Sequence, residues 1–99
     1  MTLSELKKTL DAPAPPASLA PLAQALWHDA RGDWDTAHRI AQDVGDAEGA
    51  WVHAYLHRKE GDTGNAAYWY RRAGRPVPRI SLDEEWEQIA AALLDRSSA

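Results

Sequence analysis

The residues of this chain best suited to chemistry are imidazoles. His53 and His57 stand four positions apart, so on a helix they share one side, about one turn from each other. His28 precedes His57 by 29 positions, and Glu60, Asn65, Tyr68 and Arg72 follow close behind. Paired histidines on adjacent helical turns are a common metal-ligand geometry. Imidazole and guanidinium donors together can instead hold a small anion. The HxxxH spacing here lacks the Glu of an HExxH site, and no cysteine assists it. His53 and His57 are therefore the only metal candidates, and no metal or other cofactor is expected. Nor is an enzyme: there is no Gly-rich phosphate loop, no GxSxG and no HExxH.

Ninety-nine residues suit one small domain, and 44% hydrophobic content is that of a folded chain. The absence of cysteine excludes a disulfide framework, thiolate metal sites and a Cys nucleophile. No apolar run reaches membrane-spanning length and no signal-peptide core is present, so a cytoplasmic protein with no membrane partner is expected. Net charge is −4, which argues against nucleic acid. Residues 1–50 carry four Lys/Arg against eight Asp/Glu, residues 51–80 six against two, and residues 81–99 one against five. The basic middle either presents a binding surface or is neutralised by the acidic ends. Neutralisation is the expectation, because most charge segregation in small domains is absorbed internally or solvated.

The positioning elements read as helices throughout. Thr2-Leu3-Ser4-Glu5 is a capping box opening a short helix. The proline-rich residues 11–18 end it, which makes 1–18 an N-terminal arm. Ser18 is the expected N-cap of a helix over 19–31, with Pro21 in its first turn. Gly32 stops that helix and Asp33 caps the next, which ends at Gly45. Asp46 caps a third helix running to about Glu60, Gly61-Asp62 makes another break, and a fourth helix, capped by Asp62 or Thr63, ends at Gly74. After the proline-punctuated RPVPR, Ser81-Leu82-Asp83-Glu84 opens an amphipathic helix over 81–96. Its Glu84-Glu85-Glu87 run reads as a solvated helix start. Tryptophans 27, 34, 51, 69 and 86, one per body helix and with no Phe in the chain, read as core fillers. Arg71, Arg72, Arg75 and Arg79 suit a helix C-terminus first and an acidic or phosphate ligand second.

A shift of 29 residues lays Ala25, His28, Gly32, Asp33, Ala37 and Gly45 on Ala54, His57, Gly61, Asp62, Ala66 and Gly74. ALWHDARGDWDTAHRIA and AYLHRKEGDTGNAAYWYRRA resemble tetratricopeptide-type repeats in their small residues, their Gly-Asp turn and the aromatic Trp34. Pro21, Ala50 and Thr63 depart from the aromatic positions of that family, and its usual period is longer. HRKEGDTGNAAYWYRRAGR also resembles a block in small bacterial proteins, which supplies no activity.

The resemblance implies an all-α fold of two stacked antiparallel hairpins, 19–45 and 46–74, with 81–96 as a capping helix. It places Gln24, His28, His53 and His57 where apolar groups normally pack. Such positions need partners, since an unpaired buried polar group costs roughly 1–3 kcal/mol. An ordered polar network is expected there, ahead of a small-anion pocket of Gln24, His28, His53, His57, Tyr68 and Arg72. The same pattern puts Leu26, Trp51 and Tyr55 on the inner face, as a peptide groove rimmed by Arg58 and Lys59. The leading functional expectation is a protein-interaction module with a protein or peptide partner. The small-ligand or metal protein is the alternative. The terminal helix or the arm can instead fill the groove, and an arm docking on a second copy would make a homodimer.

Overall fold

Two sharp corners set the path of the chain. At Gly32 and Gly61 the backbone is left-handed, with φ of 82° and 88°, a conformation that a Cβ makes costly. The Asp33 N–H donates to the His28 carbonyl and the Asp62 N–H to the His57 carbonyl, both at 2.9 Å. The Asp33 carboxylate then accepts from the Thr36 hydroxyl at 2.7 Å and its N–H at 3.2 Å. Asp62 accepts from the Asn65 side-chain amide at 2.9 Å and its N–H at 3.3 Å. These bonds, side chain first and backbone second, hold both carboxyls below the usual range. Each corner ends one helix and caps the next in the same way.

The computed structural model describes residues 1–98, with side chains as far as Asp95. Helix α1 spans Leu3–Lys8 and runs into a 3-10 turn, Thr9–Asp11; α2 is Pro21–Ala30, α3 Trp34–Gln42, α4 Ala47–Lys59, α5 Thr63–Ala73 and α6 Leu82–Ser98. The described residues are all helix and connection, and none of these helices is long and apolar enough to cross a membrane. The Thr2/Glu5 capping box forms in both directions. At Ser81 only the hydroxyl arm is made: it accepts from the Glu84 N–H and bonds the Glu84 carboxylate.

Three boundaries differ from expectation. Ser18 does not cap α2. The Leu19 N–H bonds the Pro16 carbonyl, leaving Ser18 inside a turn, and Ala20 takes the cap position without a side-chain bond ahead of Pro21. Helix α3 ends at Gln42 rather than Gly45, because the chain must swing close to α4: a Cβ on Gly49 would lie 1.9 Å from the Val44 carbonyl oxygen. Helix α6 runs past 96 to Ser98, so Ser97 and Ser98, expected to fray, are helical; Ala99, expected to fray with them, lies outside the described residues.

Helix α4 is the axis of the fold. Every residue from Gly49 to His57 is buried, and α2, α3, α5 and α6 all pack on it. The closest pairings are α4 with α5 and α2 with α3, made through small residues: Ala25, Ala37, Ala54 and Ala66 are buried. Helix α6 closes the remaining side, burying Trp86, Ile89, Ala90, Leu93 and Leu94. The Trp86 indole N–H donates to the Leu26 carbonyl at 3.0 Å. Each large apolar side chain so buried contributes about 1.5–3 kcal/mol. The radius of gyration is 12.5 Å, that of a closed globule of about 100 residues. Helix α1 lies on α6 with Leu6 fully buried, and its end is held by Trp27 Nε1 on Thr9 and by the Arg31 guanidinium on the Leu10 and Ala12 carbonyls.

Candidate functional site

Helices α3, α4 and α5 meet in a cluster of stacked rings. Trp34, the first residue of α3, donates its indole N–H to the Leu56 carbonyl of α4 at 2.8 Å and so fixes the two helices' register. One turn on, His38 stacks on Trp34, ring centroids 4.8 Å apart and planes 9° apart. His38 meets His53 of α4 edge-on, with their Nε2 atoms 3.0 Å apart. His53 is held between His57, 4.8 Å away, and Trp69 of α5, stacked at 4.0 Å and 13°. The Arg72 guanidinium covers Trp69 at 5.3 Å and donates to the Tyr68 hydroxyl at 3.0 Å. His57 Nδ1 pairs with the Glu60 carboxylate at 2.6 Å.

Burial sets the electrostatics. It pushes His53 down to about 4, with His38 and His57 adding to the effect. His38 is also lowered, by burial first and His57 second. Both rings are neutral at pH 7, so at the 3.0 Å contact one Nε2 donates and the other accepts. One ring nitrogen from each of His38, His53 and His57 lies within 4.8 Å of the others, close enough for the three to hold a metal ion. His57, Glu60 and Asp62 form a second such group on the outside.

Of the expected pocket residues, His53 and His57 meet as proposed, while Arg72 reaches the cluster only through the Trp69 ring. Tyr68 is exposed at 43% and touches Arg72. Gln24 and His28 are elsewhere. The Gln24 amide bonds the Leu19 carbonyl at 2.8 Å, and His28 lies edge-on to its own neighbour Trp27. The residue missed is His38. Its spacing of four from Trp34 put both on one side of α3, and that side turns towards α4.

The expected groove is filled from within. Leu26, Trp51 and Tyr55 are buried, the first directly bonded by α6 through Trp86. Arg58 donates to Glu85 at 2.8 Å and to the Ile80 carbonyl, and Lys59 to Asp29 at 2.9 Å. Glu85 is therefore no solvated helix start: it is buried and accepts from Tyr70 at 2.6 Å and 2.8 Å. Asp29, also buried, accepts from the Tyr55 hydroxyl at 2.7 Å. Burial first, and then the neighbouring carboxylate, pushes both phenols well up, so they stay protonated donors. The acidic ends thus neutralise Arg58 and Lys59. Arg71, Arg72, Arg75 and Arg79 remain exposed, with no carboxylate at ion-pair distance among the described residues. Trp27, Trp51 and Trp86 fill the core as expected, but Trp34 and Trp69 are only half-buried and flank the histidines. Comparison with known proteins finds no matching family model, no matching curated protein and no matching solved structure.

Proposed function

We propose that the chain is a tetratricopeptide-like interaction module that docks an acidic protein segment on the face formed by the end of α5 and residues 75–79. One observation carries this reading: in a chain of net charge −4, four of the six cations between residues 51 and 80 have no carboxylate at ion-pair distance among the described residues, and all four fall within 71–79. Tyr68 and Val77 are exposed beside them at 43% and 55%. Arg75 lies over Trp51 at 3.5 Å and Arg72 over Trp69, so two guanidiniums are held on aromatic platforms before any partner arrives. Pre-ordered Arg and an exposed aromatic are the residue types that dominate interface energetics. Unmatched positive charge accelerates encounter with an acidic partner. The equivalent Gly-Asp corners support the likeness to the repeat family, whose members carry partners on helical faces.

The measurement is fluorescence anisotropy of a labelled Glu/Asp-rich peptide titrated with the protein at several salt concentrations. Binding should weaken as salt rises, and Arg71→Glu with Arg79→Glu should abolish it while the fold is kept. Binding indifferent to both would dismiss the face as a docking site.

A second reading keeps a small anion beside the imidazoles. It rests on a cavity of about 310 Å³ lined by His53, Trp69, Arg72, Gly45 and the closely packed Gly49. A rise in melting temperature with inorganic phosphate or a dicarboxylate, lost in Arg72→Ala, would favour it.

A further inference from the structure

The ring cluster asks for an account that the arginine face does not supply. Three imidazoles are gathered at one helix junction, and among the described residues Glu60 is the one carboxylate hydrogen-bonded to them. We propose that His38, His53 and His57 bind a divalent transition-metal ion, of the zinc and copper class, and that Glu60 orients His57 for it.

The donor set fits that class of ion. Neutral imidazole nitrogen suits zinc, copper and nickel rather than calcium or magnesium, which take oxygen. The Glu60 carboxylate occupies Nδ1 of His57, so His57 offers Nε2, as a metal-bound histidine does when its other nitrogen is held by an acid. His38 and His53 already turn their Nε2 atoms together at 3.0 Å. Nitrogens on a tetrahedral zinc stand about 3.4 Å apart, given bonds of about 2.0–2.1 Å. Ligation would open that contact by a few tenths of an ångström and draw in the third ring, whose nitrogen now lies within 4.8 Å. The rings are also held in place: Trp34 stacks on His38 and Trp69 on His53, so little freedom remains to be lost on ligation. Three protein ligands leave a fourth position for water or an outside ligand. Because His38 belongs to α3 and the other two to α4, the ion ties α3 to α4 beyond their own packing.

The test uses the full, tag-free chain with Zn²⁺, Co²⁺ and Cu²⁺ as probes. Calorimetry should give one ion per chain, and the melting temperature should rise with Zn²⁺ in about hundredfold excess. Cu²⁺ should quench tryptophan fluorescence, and Trp34→Phe with Trp69→Phe should remove most of that quenching while Trp27, Trp51 and Trp86 remain. His38→Gln and His57→Gln should each weaken binding more than tenfold, and Glu60→Gln by about 10–100-fold. His28→Ala, outside the cluster, should bind as the unaltered chain does. Should a variant fail to fold, nitrogen NMR of the unaltered chain decides: Zn²⁺ must shift the ring nitrogens of His38, His53 and His57 and leave those of His28. No heat and no thermal shift with any of the three ions, or shifts confined to other residues, would overturn the proposal.

Discussion

Two junctions in this small molecule bury polar side chains, and they are built on opposite principles. Where α6 closes on α2, α4 and α5, each buried carboxylate meets one phenol and one cation: Asp29 with Tyr55 and Lys59, Glu85 with Tyr70 and Arg58. Charge is matched, both phenols are held protonated, and the groups join elements far apart in sequence. Where α3, α4 and α5 meet, three bases of the same kind crowd together, and Glu60 pairs with only one of them. The first arrangement is a lock: Asp29 ties α2 to α4, and Glu85 ties the closing helix to α4 and α5. In the second, burial keeps His38 and His53 unprotonated, and lone pairs are what neutral imidazoles offer. Buried polarity therefore has two meanings in one fold, and counter-charge tells them apart.

The largest expected effect tests the lock. Glu85→Ala leaves the half-buried Arg58 and the buried Tyr70 unmatched and should cost about 3–5 kcal/mol. Urea unfolding reads the loss, and hydrogen exchange should show it concentrated in α6. A loss under about 1 kcal/mol would mean that α6 is held by its apolar side alone.

Acid should strike the other junction first. His53 is depressed from an ordinary 6.5 to about 4, so the unfolded chain binds its proton before the folded one does. Stability is then complete above pH 6.5 and declines as pH falls towards 4. A loss of 1–2 kcal/mol lowers the melting temperature by about 5–15 °C. His53→Phe, which can keep the stack on Trp69, should flatten this pH dependence. An unchanged slope in that variant would place the acid sensitivity elsewhere.

The two corners offer an internal standard for both junctions. Asp33→Ala and Asp62→Ala should destabilise the chain to the same extent, since each removes the same cap. Unequal costs in thermal unfolding would show that the corners share geometry but not energetics. The smallest effect is expected at His38→Leu without metal, within about 1 kcal/mol of the unaltered chain. The partner it abandons, His53 Nε2, can be left unprotonated by a change of tautomer. A much larger loss would make the imidazole cluster a lock as well.

What was legible in the sequence was whatever acts over three or four residues. Thr2 with Glu5, Asp33 with Thr36, Asp62 with Asn65 and the glycine corners each complete their bonds within one helical turn. Ser18 misled because the bond between Leu19 and Pro16 competes with capping, and Gly45 because Gly49, not the stop signal, decides how the chain enters α4. The candidate site was half legible. His53 and His57 share α4 and their pairing follows from spacing, but His38 reaches His53 across 15 residues of chain.

By itself, then, the sequence determined six helical segments, the caps at Thr2, Asp33 and Asp46, two equivalent corners and a histidine pair one turn apart. Tertiary structure alone decided that His38 rather than His28 joins that pair, that α6 fills the face of Leu26, Trp51 and Tyr55, and that Glu85 lies inside while four arginines lie outside. The physical reason is range. Caps and turns are settled by neighbours along the chain. The bonds from Arg58 to Glu85 and from Trp86 to Leu26 span 27 and 60 residues, and exist only once packing around α4 has chosen which helix faces meet.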